Sequence, residues 1–208
     1  MVKQVRAART REALIRAAAE VFAEDGYALA SLPSISKRAG VSTGALHFHF
    51  MSKDVLAGAV EREAATAAAR LAERSRSAGP PLQSLLDVCS GLLHALADDP
   101  VVRAGFRLSA DPSRKAGAEL LDWWHDRVRT LVVEARRAGE LGEAVSEDAA
   151  TTVLVSSTVG FGVLGAVDRA WLSVDRVAPL WSFLAPHLAA SPHEAPAPAV
   201  TGERRSRV

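Results

Sequence analysis

The chain has 208 residues, 49% of them hydrophobic, a formal net charge of +1 and a single cysteine, Cys89. That composition can fill the core of one large or two small domains, and it excludes a disordered polymer, a disulfide framework and a thiolate metal cluster. The basic start "MVKQVRAARTREALIR" passes straight into an amphipathic pattern without an apolar h-region, so an export signal is not expected and a cytoplasmic location is.

From the N-terminus, "RTREALIRAAAEVFAEDG" places Leu14, Ala18, Val21 and Phe22 at helical spacing, with Thr10 as a candidate cap and Gly26 as the stop. Four bases (Lys3, Arg6, Arg9 and Arg11) precede the first acid, which predicts a mobile positive arm. In "SLPSISKRAG" a short second helix is capped by Ser31, tolerates Pro33 in its first turn, turns Ile35 and Ala39 inward and ends at Gly40. Ser42 or Thr43 caps a third helix. Three short helices with a glycine-containing turn between the last two describe a helix-turn-helix.

Beyond Lys53 an alanine-rich helix runs to about Ser77, where "AGPP" stops it. "LQSLLDVCSGLLHALADD" carries the wide apolar stripe of a buried helix, and Asp99-Pro100 opens a shorter one over "VVRAGFRLSA". "LLDWWHDRVRTLVVEARRAG" is helical to Gly139, Ser146 caps a nearly uncharged helix, and "SVDRVAPLWSFLAPHLAA" forms the last. The uncharged run from Ala149 to Val167 approaches the length of a membrane span. Its serines, threonines and glycines favour a buried interface helix instead, so no membrane partner is expected. No segment alternates as a strand does, and the expected fold class is all-α. The expected domains are 1–52, a helix-turn-helix unit with its basic arm; 53–190, a helical ligand-binding and dimerisation unit; and 191–208, a disordered basic tail.

"GYALASLPSISKRAGVSTGALHFHFMSKDVL", Gly26 to Leu56, resembles the N-terminal DNA-binding domain of the TetR family of repressors. The likeness lies in the Gly-Tyr ending helix one, the Ala-Gly-Val-Ser turn, the Gly-Ala, the His-Phe pair and the Ser-Lys-Asp opening helix four. Ser31 stands where the family often has Thr, and His47 where it has the first aromatic of its Tyr-x-His-Phe run. Further on, "DPVVRAGFRLSA" and "LLDWWHDRV" are similar to the γ-butyrolactone receptors of actinomycetes, with Trp124 at the position of a tryptophan of their ligand-binding domain. "SRKAGAELL" replaces their usual proline-rich stretch and the isoelectric point is near 8.0, which by similarity point to the pseudo-receptor subgroup responding to antibiotics or biosynthetic intermediates.

The resemblance implies a homodimeric repressor that binds a palindromic double-stranded operator and is released by a small-molecule effector, in control of secondary metabolism. The expected DNA-binding residues are Arg6, Arg9, Lys37, Arg38, Ser42, Thr43, Gly44, Ala45, His47 and Lys53. Ser42 and Thr43 would meet phosphate, Gly44 would permit close approach, His47 would replace the phosphate-contacting Tyr and Lys53 would anchor a phosphate. Leu46 and Phe50 should face inward, Phe48 is read as core, and His49 should pack against the start of helix four. The expected ligand site takes Trp124 first, then Cys89, His94, Phe106, Thr158 and Phe161. Ser156, Thr158, Gly160, Gly162, Gly165, Trp171, Trp181 and Phe183 are the expected dimer surface, a four-helix contact.

No cofactor and no metal is expected: His47 and His49, two apart on a helix, point to different sides. No phosphate loop, His-x-x-x-His pair or Gly-x-Ser-x-Gly elbow occurs, and the acid pairs Asp98-Asp99 and Glu147-Asp148 suit helix boundaries, so an enzyme is not expected. The alternative class is a helical adaptor or coregulator without direct DNA binding.

Overall fold

A computed structural model describes residues 2–75, 79–114 and 119–190; the expected tail, 191–208, lies outside the described residues. The described residues form nine α-helices and no strand. These are α1 (Val2–Leu29), α2 (Leu32–Arg38), α3 (Thr43–His49), α4 (Lys53–Ser75), α5 (Pro81–Asp98), α6 (Pro100–Ser109), α7 (Glu119–Arg137), α8 (Glu147–Val167) and α9 (Val174–Leu188). A short 3-10 turn, Arg169–Leu172, joins α8 to α9, and one antiparallel bridge between Leu141 and Ala189 ties the end of α9 to the α7–α8 loop.

Local chemistry sets most of the ends. Ser31 and Ser34 form a reciprocal capping box at α2, and the Ser42 and Ser146 hydroxyls accept from the N–H groups of Ala45 and Ala149. Asp99 caps α6 by accepting from the Val101 N–H. Gly40 and Gly139 take positive φ just beyond α2 and α7.

Two expectations fail at the N-terminus. Helix α1 begins at Val2, so the basic residues lie within the helix rather than in an arm before it, and the Thr10 hydroxyl donates to the Arg6 carbonyl within the helix instead of capping it. Gly26 does break α1, but as a kink: its φ of 77° and ψ of 171° fall where only glycine is comfortable, and one further turn follows to Leu29.

Two apolar clusters organise the molecule. The head cluster gathers Leu14, Ala18, Val21 and Phe22 of α1 with Ile35, Leu46, Phe50 and the first turns of α4 as far as Val60. Ala104 and Leu108 of α6 complete it. The body cluster joins α5, α7 and α8 with the ends of α4 and α9 through residues such as Leu92, Leu96, Trp124, Val128 and Leu154. Helix α6 therefore belongs to both. It lies so close to α4 that a Cβ on Gly105 would stand 2.2 Å from the Ala64 Cβ.

Helix α8 is two-faced. Thr151, Leu154, Thr158 and Gly165 are buried, while Val153, Val163, Leu164 and Val167 are exposed. This corrects part of the expected dimer surface. Thr158 faces Trp124, Gly162 faces Leu96, and a Cβ on Gly165 would strike Leu172 at 2.5 Å, so these three residues serve packing within the subunit. Trp171 and Trp181 are half-buried, Trp171 against Phe161. Ser156 and Phe183 do face outward, and Gly160 has open space around it.

Replacing Gly26 by Ala forces a side chain into a glycine-only conformation and brings its Cβ to 2.9 Å from the Arg107 guanidinium. Gly26→Ala is expected to cost about 1–3 kcal/mol, read as a lowered urea midpoint by circular dichroism.

Candidate nucleic-acid interface and internal cavities

Helix α3 is held from behind. Leu46 and Phe50 are buried in the head cluster, the Arg11 guanidinium lies 5.3 Å from the Phe50 ring centroid, and the Ser36 and Thr43 hydroxyls share a 3.3 Å hydrogen bond between α2 and α3. On the opposite side Ser42, Thr43, Gly44 and His47 are exposed and Ala45 is half-buried. The structure thus gathers these sequence-predicted residues on one rigid outward face.

Phe48 joins them. It is 82% exposed, with Met51 three residues on at 87%, so its expected place in the core is wrong. Helical geometry explains this: at 100° per residue, two steps from Leu46 and two before Phe50 is the far side of the helix. His49 is half-buried, its ring edge-on to Phe48 at 5.2 Å.

Two expected cations are committed inside the protein. Arg38 donates to Glu24 at 2.9 Å and Glu20 at 3.2 Å, joining α2 to α1; this pairing holds the Glu24 carboxyl below its usual range. Lys53 donates to the carbonyls of Tyr27 at 2.8 Å and Ala30 at 3.0 Å, and its ammonium sits 4.3 Å from the Tyr27 ring centroid. The structure gives Lys53 the end of α1 to cap, since carbonyls orphaned at a helix C-terminus attract a cation. Tyr27 in turn donates to Asp54 at 2.7 Å, and burial together with that bond pushes its hydroxyl up to about 12. Arg6, Arg9 and Lys37 remain exposed.

The expected ligand residues are not gathered in one cleft. Trp124 is 1% exposed; its indole N–H donates to the Thr158 hydroxyl at 2.9 Å, and its ring meets Phe106 edge-on at 6.4 Å. Cys89 is wholly buried in the body core, which pushes its thiol up to about 12, and His94 is exposed. Besides a cavity of about 360 Å³ lined by Glu20, Glu24, Arg103 and Arg169, two more lie where head meets body. One, of about 310 Å³, runs between α6 and α8 and is lined by Leu96, Arg103, Phe106, Arg107, Val159 and Gly162 among others. The second, of about 600 Å³, is lined by Tyr27, Asp54, Glu61, Arg114 and Trp123. Trp124 lines neither; in the second it is its neighbour Trp123 that does. Of the expected ligand residues only Phe106 reaches these two cavities. Arg103 and Arg107 were missed, though two arginines four apart on a short apolar helix are a legible signal that one helix face is special. Among the described residues no group of three or more His, Cys, Asp or Glu could hold a metal ion.

Residues 14–60 match the family of bacterial regulatory proteins, tetR family. Along most of its length the chain is similar to the A-factor receptor protein of Streptomyces griseus, 31% identical over 190 residues, 91% of this chain and 67% of that one. The chain belongs to the TetR family. Solved structures of CprB from Streptomyces coelicolor A3(2) agree with it at a TM-score of 0.78, with 30% identity, covering 91% of this chain and 93% of CprB. CprB bound to its biological operator sequence agrees at 0.75, with 30% identity over 89% and 90% of the two chains. A γ-butyrolactone receptor described as ArpA-like agrees at 0.68, with 29% identity over 88% and 97%. This TetR-family chain is thus a transcriptional regulator with a helix-turn-helix DNA-binding head, similar to γ-butyrolactone receptors; these relatives are regulators rather than enzymes.

Lys53→Met should lower stability by about 1–3 kcal/mol, because three backbone carbonyls lose a charged donor. The salt-dependence slope of DNA binding should stay unchanged, whereas a lost phosphate contact lowers that slope by about one per site.

Proposed function

We propose that the chain is a homodimeric, ligand-responsive repressor that docks α3 of each subunit into successive major grooves of a palindromic operator and lets go when a small effector enters the body. The observation that carries this reading is the outward face of α3, a hydroxyl and glycine start followed by His47 and an exposed Phe48, on a helix whose other face is locked in the core. Small residues admit close approach, hydroxyls and the imidazole suit phosphate, and an exposed phenyl ring suits a thymine methyl. Among the expected contacts, Arg6, Arg9, Lys37, Ser42, Thr43, Gly44, Ala45 and His47 keep that role in the proposal, and Phe48 is added. Support comes also from the relative named a receptor for A-factor and from the operator complex of CprB. Control of secondary metabolism follows from the same likeness.

Pairing of two heads rests on α8. It is long and apolar, and only 28% of its apolar stretch is buried within the subunit, which leaves most of it uncovered. Val153, Ser156, Gly160, Val163, Leu164 and Val167 fall at three- and four-residue spacing on one stripe that lacks cover, and Phe183 of α9 is 64% exposed. A contiguous apolar face of this kind is what an oligomer interface buries, and Gly160 lets a second helix approach closely.

Binding to duplex DNA enriched from the genome should be salt-sensitive in fluorescence anisotropy. His47→Ala should weaken it across all sequences, while Phe48→Ala should cost about 1–3 kcal/mol at one thymine-bearing position and relax preference there. Light scattering should give twice the 22.0 kDa chain mass, and Leu164→Glu with Phe183→Glu should return the monomer.

A further inference from the structure

We propose that the cavity between α6 and α8 takes an amphiphile with a carboxylate head, which pairs with Arg107 and Arg103 and thereby frees the end of α1. This rests on the reading of the chain as a ligand-responsive regulator and names the ligand class and the trigger.

The cavity volume, about 310 Å³, is at the small end of sites for drug-sized molecules. Its walls are apolar, Leu96, Phe106, Val159 and Val163 among them, and two guanidiniums lie at its lining. Among the described residues neither arginine has a carboxylate within ion-pairing distance. Arg103 donates through Nη1 to the carbonyls of Leu96 and Ala97, both at 2.8 Å, and Arg107 through Nη1 to those of Ala23 at 2.8 Å and Glu24 at 3.4 Å. Asp111, the acid in the lining, accepts from the backbone N–H and the hydroxyl of Ser113. Burial and the nearby Arg169 charge disfavour the Arg103 cation, while the more distant Asp99, Asp98 and Glu24 favour it; the Ser113 hydroxyl, with Arg114 and Arg107 farther off, holds the Asp111 carboxyl below its usual range. Two cations against apolar walls, with no described carboxylate in direct contact with either, are complementary to a carboxylate on an apolar chain, since charge-assisted bonds to Arg are the stronger kind.

The trigger follows from where Arg107 is bonded. Ala23 and Glu24 belong to the last turn before the Gly26 kink, where carbonyls have lost their helical donors. The same turn carries Glu20 and Glu24, which hold Arg38 and through it α2. A carboxylate that engages Arg107 competes with those carbonyls, so it binds the released arrangement better and shifts the population toward it.

Calorimetry on the full chain without DNA, using sodium decanoate, 1-decanol and γ-decalactone as probes, tests the site. Decanoate should bind on the order of tenfold more tightly than either neutral probe. Arg107→Gln should remove that preference. Ala166→Phe, which fills the cavity from α8, should abolish binding of all three while the far-ultraviolet spectrum is kept. Equal affinity for decanoate and decanol, no binding of any probe, or a preference that survives Arg107→Gln overturns the proposal. In a second arm, decanoate should lower operator affinity of the native chain on the order of tenfold; binding without release overturns the trigger. A ligand-free chain that binds no DNA at all would instead sink the repressor reading and leave the calorimetric result standing.

Discussion

The joint between head and body depends on how a broken helix satisfies its carbonyls. The kink at Gly26 leaves α1 with two C-terminal ends, one at Ala23 and Glu24 and another at Tyr27 to Ala30, and each attracts a cation from a different helix. Arg107 reaches in from α6 and Lys53 from the first turn of α4. Without the kink the Ala23 and Glu24 carbonyls would be occupied by the helix itself, and Arg107 would have no open carbonyls there to bridge the two halves. Glycine is required there twice over, by a backbone conformation closed to other residues and by the guanidinium packed against its Cα.

From that joint the position of the reading face follows. Glu20 and Glu24 extend the same turn of α1 to Arg38, Leu46 and Phe50 seat α3 on the core that α1 helps to build, and Gly105 lets α6 lie almost against α4. Helix α6 is thus joined to the head through packed side chains rather than through a flexible tether. The α6–α8 cavity touches this arrangement at Arg103 and Arg107.

Body and head differ in how they treat polar groups. In the body, Trp124 satisfies its indole on Thr158, whose hydroxyl also donates to the Leu154 carbonyl at 2.9 Å, so a polar pair is closed within an apolar core. Toward the second cavity, the side chain of Arg114 is 3% exposed and lies 2.7 Å from Glu61, next to Tyr27. The body thus carries buried cations on its head side and an uncovered apolar stripe along α8.

The short range was legible in the sequence. Ser31, Ser42 and Ser146 cap because a hydroxyl meets an N–H three residues on; Gly40 and Gly139 end helices because no other residue takes their φ cheaply; and Leu46 and Phe50 face inward because four residues bring a helix back to the same side. Phe48 follows the same rule: its position, two residues from both Leu46 and Phe50, outweighs its hydrophobicity and turns it outward. What the chain alone left open is the partner of every long polar side chain. Lys53, Arg38 and Arg107 could each face solvent, phosphate or protein, and the choice was made by carbonyls and carboxylates that lie 14 to 84 residues away in sequence. The same holds for Trp123 and Trp124, which as neighbours on a helix face about 100° apart: the resemblance assigns the cavity to Trp124, but the crossing of α7 with α8 brings Thr158 to the Trp124 indole and leaves Trp123 at the second cavity.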